Sequence, residues 1–315
     1  MKAPVTRVLD AAGNWLPAAM AGVERRLERI AAEAGGPLAD DATATLSAGG
    51  KRLRPLLVLI CAGPGGTTVA SRGAVAVELV HMATLVHDDV LDDAPLRRGR
   101  PTVLAVAGRE RATATGDLLF SRAFAELASA ADARQVSLLS TASVGLARGE
   151  LAQRRDAYDM ATTAGRYLER CELKTATLFE FACAIGDGDA GLAGFGRRVG
   201  LAFQLLDDVL DVTGPPERTG KARGTDLLDG TVTLPLILAR ERDPAIASVE
   251  LRGLDAAAAE ALCDRIVASG ASEEVRELAR THVAEAKRAL ESAPIDPDRR
   301  NLLELVADGV VDRYA

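Results

Sequence analysis

The chain reads as an all-α protein, on three observations. Ala, Leu, Arg and Glu are abundant while aromatic residues make up only 3% of 315 residues, which favours helix over sheet. Long windows carry apolar residues at i, i+3, i+4 and i+7, the signature of a helix with one buried face. No period-two alternation persists. The periodicity predicts helices over 4–12, 17–34, 38–48, 52–62, 69–93, 102–107, 111–131, 134–153, 162–186, 188–213, 231–242, 255–269, 272–292 and 297–313. Breaks fall at GPGG (63–66), at Pro95, Gly99 and Pro101, and at GPP (214–216). Nothing reads as a linker, so residues 1–315 are expected to form a single all-α domain.

A 48% hydrophobic share supports a large core. The net charge of −7 excludes nucleic-acid binding by bulk charge. Cys61, Cys171, Cys183 and Cys263 are scattered, with no CxxC pair, and read as reduced core residues of a cytoplasmic protein. The start, MKAPVTRVLDAAGNWLPAAMAG, has polar residues through its apolar part and makes a poor signal peptide. No run of about 18 uncharged apolar residues follows, so no transmembrane segment is expected.

Two acidic clusters dominate the sequence. Residues 88–92 and 207–211 both read DDVLD, each after an apolar run. At helical pitch Asp88 and Asp92 share a face, as do Asp207 and Asp211. Stacked carboxylates at the end of an apolar helix repel one another, and divalent cations relieve that repulsion. Two such helices facing each other would form an all-oxygen cage for a hard cation, Mg²⁺ above all, and for a ligand rich in phosphate oxygens.

Three Gly-flanked basic clusters accompany the acidic ones: Gly49-Gly50-Lys51-Arg52-Leu53-Arg54-Pro55, Arg97-Arg98-Gly99-Arg100, and Gly220-Lys221-Ala222-Arg223-Gly224. Cations beside a metal–carboxylate site suit a ligand carrying more negative charge than the metals neutralise, such as a diphosphate. A lone DDxxD is most often a solvated helix end, but two copies, each followed by a basic cluster, are not read that way. GGKRLRP is not a P-loop, because Arg52 stands where Ser or Thr is required.

With these residues in view, the chain resembles the trans-polyprenyl diphosphate synthases, the head-to-tail prenyltransferase family. SAGGKRLRP, ELVHMATLVHDDVLDDAPLRRGRPT, GDLLF, LKTATLF, GLAFQLLDDVLDVTG and GKARGTDLLDGTVTLP occur in family order, from about Ala48 to Pro235. The resemblance implies the isoprenoid synthase fold, an all-α bundle or barrel of long antiparallel helices around a deep central cavity, in a homodimer. It implies condensation of isopentenyl diphosphate with an allylic prenyl diphosphate, using about three Mg²⁺ per site. By that resemblance Asp88, Asp92 and Asp207 hold Mg²⁺, with Asp226 helping and Asp89, Asp208 and Asp211 in support. Arg97, Lys174 and Lys221 contact the allylic diphosphate, and Lys51, Arg54, His81 and Arg98 the isopentenyl diphosphate. Thr175 and Gln204 line the path of the carbocation. One departure is Thr231, where many relatives carry Lys.

Product length in this family follows the helix that bears the first DDVLD. Ala83 and Thr84, five and four residues before Asp88, are small, as are Val80, Val77 and Ala76 further back. Phe120 and Phe124 on the GDLLF helix are candidates for a deeper floor, with core packing the plain alternative. The expected product is C20 or longer. A terpene cyclase shares the fold and the Mg²⁺ logic but has no use for Lys51, Arg54, His81 and Arg98 together. An HD-type phosphohydrolase, hinted at by His87-Asp88, needs more metal-binding histidines than His81, His87 and His282 supply. A noncatalytic subunit of a heteromeric synthase would lack the aspartate motifs, and both are intact.

Overall fold

The computed structural model describes residues 4–66, 68–130, 132–187, 190–214 and 223–312. Helices occupy most of them: α1 (Pro4–Ala11), α2 (Trp15–Ala32), α3 (Gly36–Ser47), α4 (Leu53–Ala62), α5 (Thr68–Leu91), α6 (Val103–Ala107), α7 (Arg109–Ala128), α8 (Ala133–Arg155) and α9 (Ala164–Cys171). A π-helical turn, Glu172–Ala176, leads into α10 (Thr177–Asp187). Then come α11 (Ala190–Thr213), α12 (Thr225–Leu228), α13 (Leu234–Arg242), α14 (Pro244–Ala247), α15 (Ala256–Ala268), α16 (Ala271–Glu291) and α17 (Pro297–Asp312). The only strands among the described residues are β1 (Leu96–Arg97) and β2 (Arg100–Pro101), an antiparallel ribbon turned by Arg98 and Gly99, both at positive φ.

The all-α expectation holds, with most helix ends displaced by one to three residues. Caps account for several starts: the side chains of Thr102, Thr163, Asp243 and Asp255 accept backbone N–H groups at the openings of α6, α9, α14 and α15. The predicted helix over 162–186 is interrupted by the π-helical turn, and the predicted start of α13 at 231 moves to Leu234, behind its extended N-cap Thr233.

The chain divides into two compact units. The first comprises Met1–Ala142, Leu178–Ala193 and Ala293–Val306; the second comprises Ser143–Thr177, Gly194–Ser292 and Ala307–Ala315. In the first unit α5 is the central element, packed by α2, α3, α4 and α7. It is buried around its circumference, through Val75, Ala76, Val77, Leu79, Val80, Met82 and Ala83. From Pro55 to Cys61, α4 is buried throughout. By length and composition α5 is apolar enough to cross a membrane, where the sequence reading expected no such segment. Of its most apolar window, 67% is buried against the chain's own helices, which marks it as a core helix of its unit. In the second unit Leu201, Ala202, Leu205, Leu206 and Val209 of α11 are buried, and α13 packs on α9, α15 and α16. All four cysteines are buried and unbridged.

Candidate active site

The two DDVLD motifs fall in different units. In the first unit the helical pattern of α5 runs through the motif, with Asp92 N donating to Asp88 O at 2.8 Å. Asp88 and Asp92 therefore lie one turn apart on the same face, Asp88 half-buried and Asp92 exposed. Asp89 turns inward, 5% exposed, and accepts a hydrogen bond from Arg97 Nε at 2.7 Å. The antiparallel helix α7 braces this end. Arg109 donates to Val90 O at 2.9 Å and pairs with Asp93, and a turn earlier on α5, His87 lies against Gly116 and stacks on Phe120. A Cβ at Gly116 would fall 2.2 Å from His87 Nε2, so only glycine admits the imidazole there.

Beside this acidic end a basic cluster assembles. A Cβ added at Gly50 would lie 2.9 Å from Arg52 Nη1, 3.3 Å from Arg98 Nη1 and 3.8 Å from Glu78 Oε1, so these groups converge there. Arg52 and Arg98 both sit in the left-handed region, a strain of about 1–3 kcal/mol each that the surrounding packing must hold. Arg52 donates to the buried Glu78 at 2.8 Å and to Glu24 at 2.6 Å. Burial pushes the Glu78 carboxyl up, while Arg52 and Arg54 pull it down. Arg54 stacks over the Phe179 ring, 4.5 Å from its centroid. Burial lowers the Arg54 guanidinium to about 10, with Glu78 opposing. Burial, then Arg54, Arg98, Arg97 and Arg52, hold His81 well below its ordinary value, so its imidazole is neutral. Four guanidinium groups thus surround one neutral imidazole, with Arg52 paired to Glu24 and Glu78 and Arg97 to Asp89.

In the second unit the other DDVLD is sorted residue by residue. Asp207 is exposed. Asp208, 3% exposed, accepts from Tyr167 Oη at 2.6 Å and from Gln204 Nε2 at 2.6 Å. Burial pushes the Asp208 carboxyl up to about 7 against those two hydrogen bonds. Asp211 Oδ2 accepts the backbone N–H of Asp226 at 3.2 Å, joining the motif to α12. Thr175 Oγ1 donates to Gln204 Oε1 at 2.7 Å. Thr175 and Lys174 lie on the π-helical turn, a departure from regular helix frequent at functional sites. Lys174 pairs with Glu150 of α8. Thr231 is half-buried, and its neighbour Val232 O accepts from the buried Arg170 at 2.7 Å.

The structure thus gathers Arg54, His81, Arg97 and Arg98 beside Asp88, Asp89 and Asp92, and gathers Thr175, Gln204 and Asp208. Lys51 is exposed, and Lys221 lies outside the described residues. Val80 and Ala83 are fully buried; Thr84, Phe120 and Phe124 are half-buried. The stacking of Phe120 on His87 puts it at the acidic end of α5, leaving Phe124, a turn further on, as the deeper of the two. Sequence reasoning missed Arg52, Glu78, Glu150, Tyr167 and Arg170. Arg52 stood inside the GGKRLRP cluster without a role of its own, and Glu78 had a weak signal, three residues before His81 on one helical face; Glu150, Tyr167 and Arg170 had none.

Among the described residues no three His, Cys, Asp or Glu side chains converge as a ready-made metal cage. Mg²⁺ commonly takes one or two carboxylates and completes its shell with water and substrate phosphates, and the Asp88–Asp92 pair offers that donor set.

Comparison with known proteins settles the family. The polyprenyl synthetase family model matches residues 37–266. The chain is 38% identical over 309 residues to heptaprenyl diphosphate synthase component 2 of Geobacillus stearothermophilus, covering 94% of this chain and 97% of that one. It is 33% identical to octaprenyl diphosphate synthase of Escherichia coli, covering 82% and 85% respectively. Its fold matches the crystal structure of polyprenyl synthase from Caulobacter crescentus, complexed with calcium and isoprenyl diphosphate, with a TM-score of 0.89 and 35% identity over 97% of this chain and 98% of that one. Motifs, fold and relatives agree: this chain belongs to the polyprenyl synthetase family and is a prenyltransferase.

Proposed function

We propose that the enzyme condenses isopentenyl diphosphate with an allylic prenyl diphosphate to give an all-trans polyprenyl diphosphate of C20 or longer, with Mg²⁺. The observation that carries this reading is the cluster of Arg52, Arg54, His81 and Arg98 beside the first DDVLD. A cyclase acting on one prenyl diphosphate has no need of a second anion pocket. The Caulobacter relative, crystallised with a divalent cation and an isoprenyl diphosphate, supports the same pairing of metal and ligand.

In this reading Asp88 and Asp92, and in the second unit Asp207 with Asp226, hold the cations. Mg²⁺, when bound, withdraws charge from the diphosphate leaving group. Arg97, Lys174 and Lys221 contact that diphosphate as negative charge grows on it. Lys51, Arg54, His81 and Arg98 fix the isopentenyl diphosphate, so that its double bond meets the allylic carbon in the right orientation. Thr175 and Gln204 turn oxygen atoms toward the developing carbocation. Apolar helix walls exclude the water that would quench it. No protein nucleophile is needed, and the proton lost at the end goes to pyrophosphate. The small side chains at 80, 83 and 84 leave room for a long tail, with Phe124 as its floor.

The 315 residues act as one catalytic domain in a cytoplasmic homodimer. A second assembly has one observation in its favour: the Geobacillus relative is named as component 2 of its synthase. Light scattering of the purified chain, with its activity assayed alone, separates a self-sufficient homodimer from a subunit that needs another. Replacing Arg54 or His81 by Ala tests the two-pocket reading. The KM for isopentenyl diphosphate should rise at least tenfold with little change for the allylic substrate. An equal rise for both substrates would contradict it.

A further inference from the structure

We infer that Tyr167 and Asp208 set the direction of a hydrogen-bond chain ending on the Thr175 hydroxyl, so that Thr175 offers lone pairs, and not its proton, to the cation. The inference rests on the proposed reaction, in which Thr175 and Gln204 face the carbocation.

The chain runs Tyr167 Oη to Asp208 Oδ2 at 2.6 Å, Gln204 Nε2 to Asp208 Oδ1 at 2.6 Å, and Thr175 Oγ1 to Gln204 Oε1 at 2.7 Å. Tyr167 is fully buried, Asp208 3% exposed and Thr175 8% exposed, so water offers little competition for these contacts. The two ends of a glutamine amide have the same shape but opposite polarity. Asp208 removes that ambiguity. As a carboxylate with Tyr167 donating to Oδ2, it offers Oδ1 only as an acceptor, and the amide NH₂ must face it. The amide oxygen then faces Thr175, which can only donate. What the Thr175 oxygen has left is lone-pair density. A hydroxyl turned the other way would present its positive end to a carbocation and raise the barrier.

Arg170 holds the inner end of the chain. Its guanidinium lies 5.3 Å from the Tyr167 ring centroid and donates from Nη2 to Val232 O at 2.7 Å. The nearby positive charge and two good hydrogen bonds offset the cost of burying the Asp208 carboxyl. Tyr167 and Asp208 touch no substrate in this account: they are positioning residues, and Asp208 is an anchor for Gln204 in place of a metal ligand.

The variant Asp208→Asn keeps the shape and abolishes the polarity, because its NH₂ can face Gln204 and turn the amide over. Wild type, Asp208→Asn, Asp207→Asn, Thr175→Val and the double variant Asp208→Asn/Thr175→Val should be compared for kcat, both KM values and the Mg²⁺ concentration giving half activity. We expect Asp208→Asn to lower kcat by about tenfold or more, with both KM values and the Mg²⁺ requirement nearly unchanged. Thr175→Val should cost far less in the Asp208→Asn background than alone. A raised Mg²⁺ requirement matching that of Asp207→Asn would make Asp208 a metal ligand and overturn the inference, as would additive effects in the double variant. If Asp208→Asn does not fold, Tyr167→Phe takes its place, with the same non-additivity toward Thr175→Val expected and additivity overturning the idea. The wild-type assay separates the two levels: no elongation by wild type sinks the proposed reaction, whereas normal wild-type elongation with an unimpaired Asp208→Asn sinks only this inference.

Discussion

Lys174 forms an ion pair with Glu150, and it does so where α8 approaches the π-helical turn so closely that no Cβ fits at Gly149. A Cβ there would lie 2.5 Å from Lys174 N and 2.8 Å from its Cα, both backbone atoms that cannot swing aside. The π-helical turn carries the lysine expected on the allylic diphosphate and the threonine expected beside the cation, and the glycine lets α8 buttress it. Gly149→Ala should therefore lower stability by about 1–3 kcal/mol and reduce activity through the misplaced turn. Thermal melting and steady-state kinetics check both effects.

Glu150 holds Lys174 in place before substrate arrives. Glu150→Gln removes the charge while keeping the shape, and Lys174 is half-buried. The expected result is a several-fold rise in the KM for the allylic diphosphate, with the KM for isopentenyl diphosphate unchanged. Initial-rate kinetics with each substrate varied in turn would show it, and a change confined to isopentenyl diphosphate would count against the assignment.

Glu78 is the buried counter-charge beneath the basic cluster. Its loss leaves Arg52 and Arg54 facing each other with less compensation. Glu78→Ala should cost about 3 kcal/mol, the scale for breaking a buried ion pair by removing one partner. Chemical denaturation measures that cost. Isopentenyl diphosphate should partly restore the stability of the variant, because its charge replaces the missing carboxylate.

Stability should depend on His81 as the pH falls. Its folded-state pKa lies well below 6.5, through burial and its arginine neighbours. Below about pH 6.5 the unfolded chain binds a proton that the folded chain resists, so the contribution of His81 is complete above that pH and is lost as the pH drops. Asp208 and Glu78, both pushed up by burial, run the other way in the ligand-free protein. The readout is therefore a difference. Between pH 7.5 and 5.5 the wild type should lose stability relative to His81→Asn, and a difference independent of pH would refute the assignment.

Product length offers a geometric test. Thr84 is half-buried while Ala83 is fully buried, so the two positions should respond differently. Thr84→Phe should shorten the product with little loss of stability. Ala83→Phe should also shorten it, at a cost of about 1–3 kcal/mol from overpacking. Sizing the dephosphorylated products by chromatography checks this, and unchanged lengths in both variants would rule out this stretch of α5 as the tunnel wall.

Most long helices were legible because they bury an apolar face that repeats at helical pitch; α5, buried without a break from Gly73 to Val80, was legible from its long, mostly apolar run. The ribbon at 96–101 was not, since two-residue strands are too short to show a period. Nor was the π-helical turn, whose extra residue per turn leaves the apolar pattern of 162–186 nearly intact. In the site, acidic and basic residues near chain breaks were legible from type and spacing, and the family resemblance supplied their roles. Their buried partners were not. Tyr167 meets Asp208 across 41 residues, and Arg170 meets Val232 across 62, and no local pattern encodes such pairings. The two motifs looked interchangeable as DDVLD, yet their middle aspartates are buried on different donors, Arg97 for Asp89 and Tyr167 with Gln204 for Asp208.

The central claim is that this chain lengthens an allylic diphosphate with isopentenyl units. The most direct measurement incubates the purified protein with Mg²⁺, labelled isopentenyl diphosphate and, in turn, dimethylallyl, geranyl, farnesyl or geranylgeranyl diphosphate, then sizes the dephosphorylated products. Label incorporated into an all-trans chain of C20 or longer is the predicted result. Consumption of an allylic diphosphate to a hydrocarbon or alcohol, with no label incorporated, would contradict it.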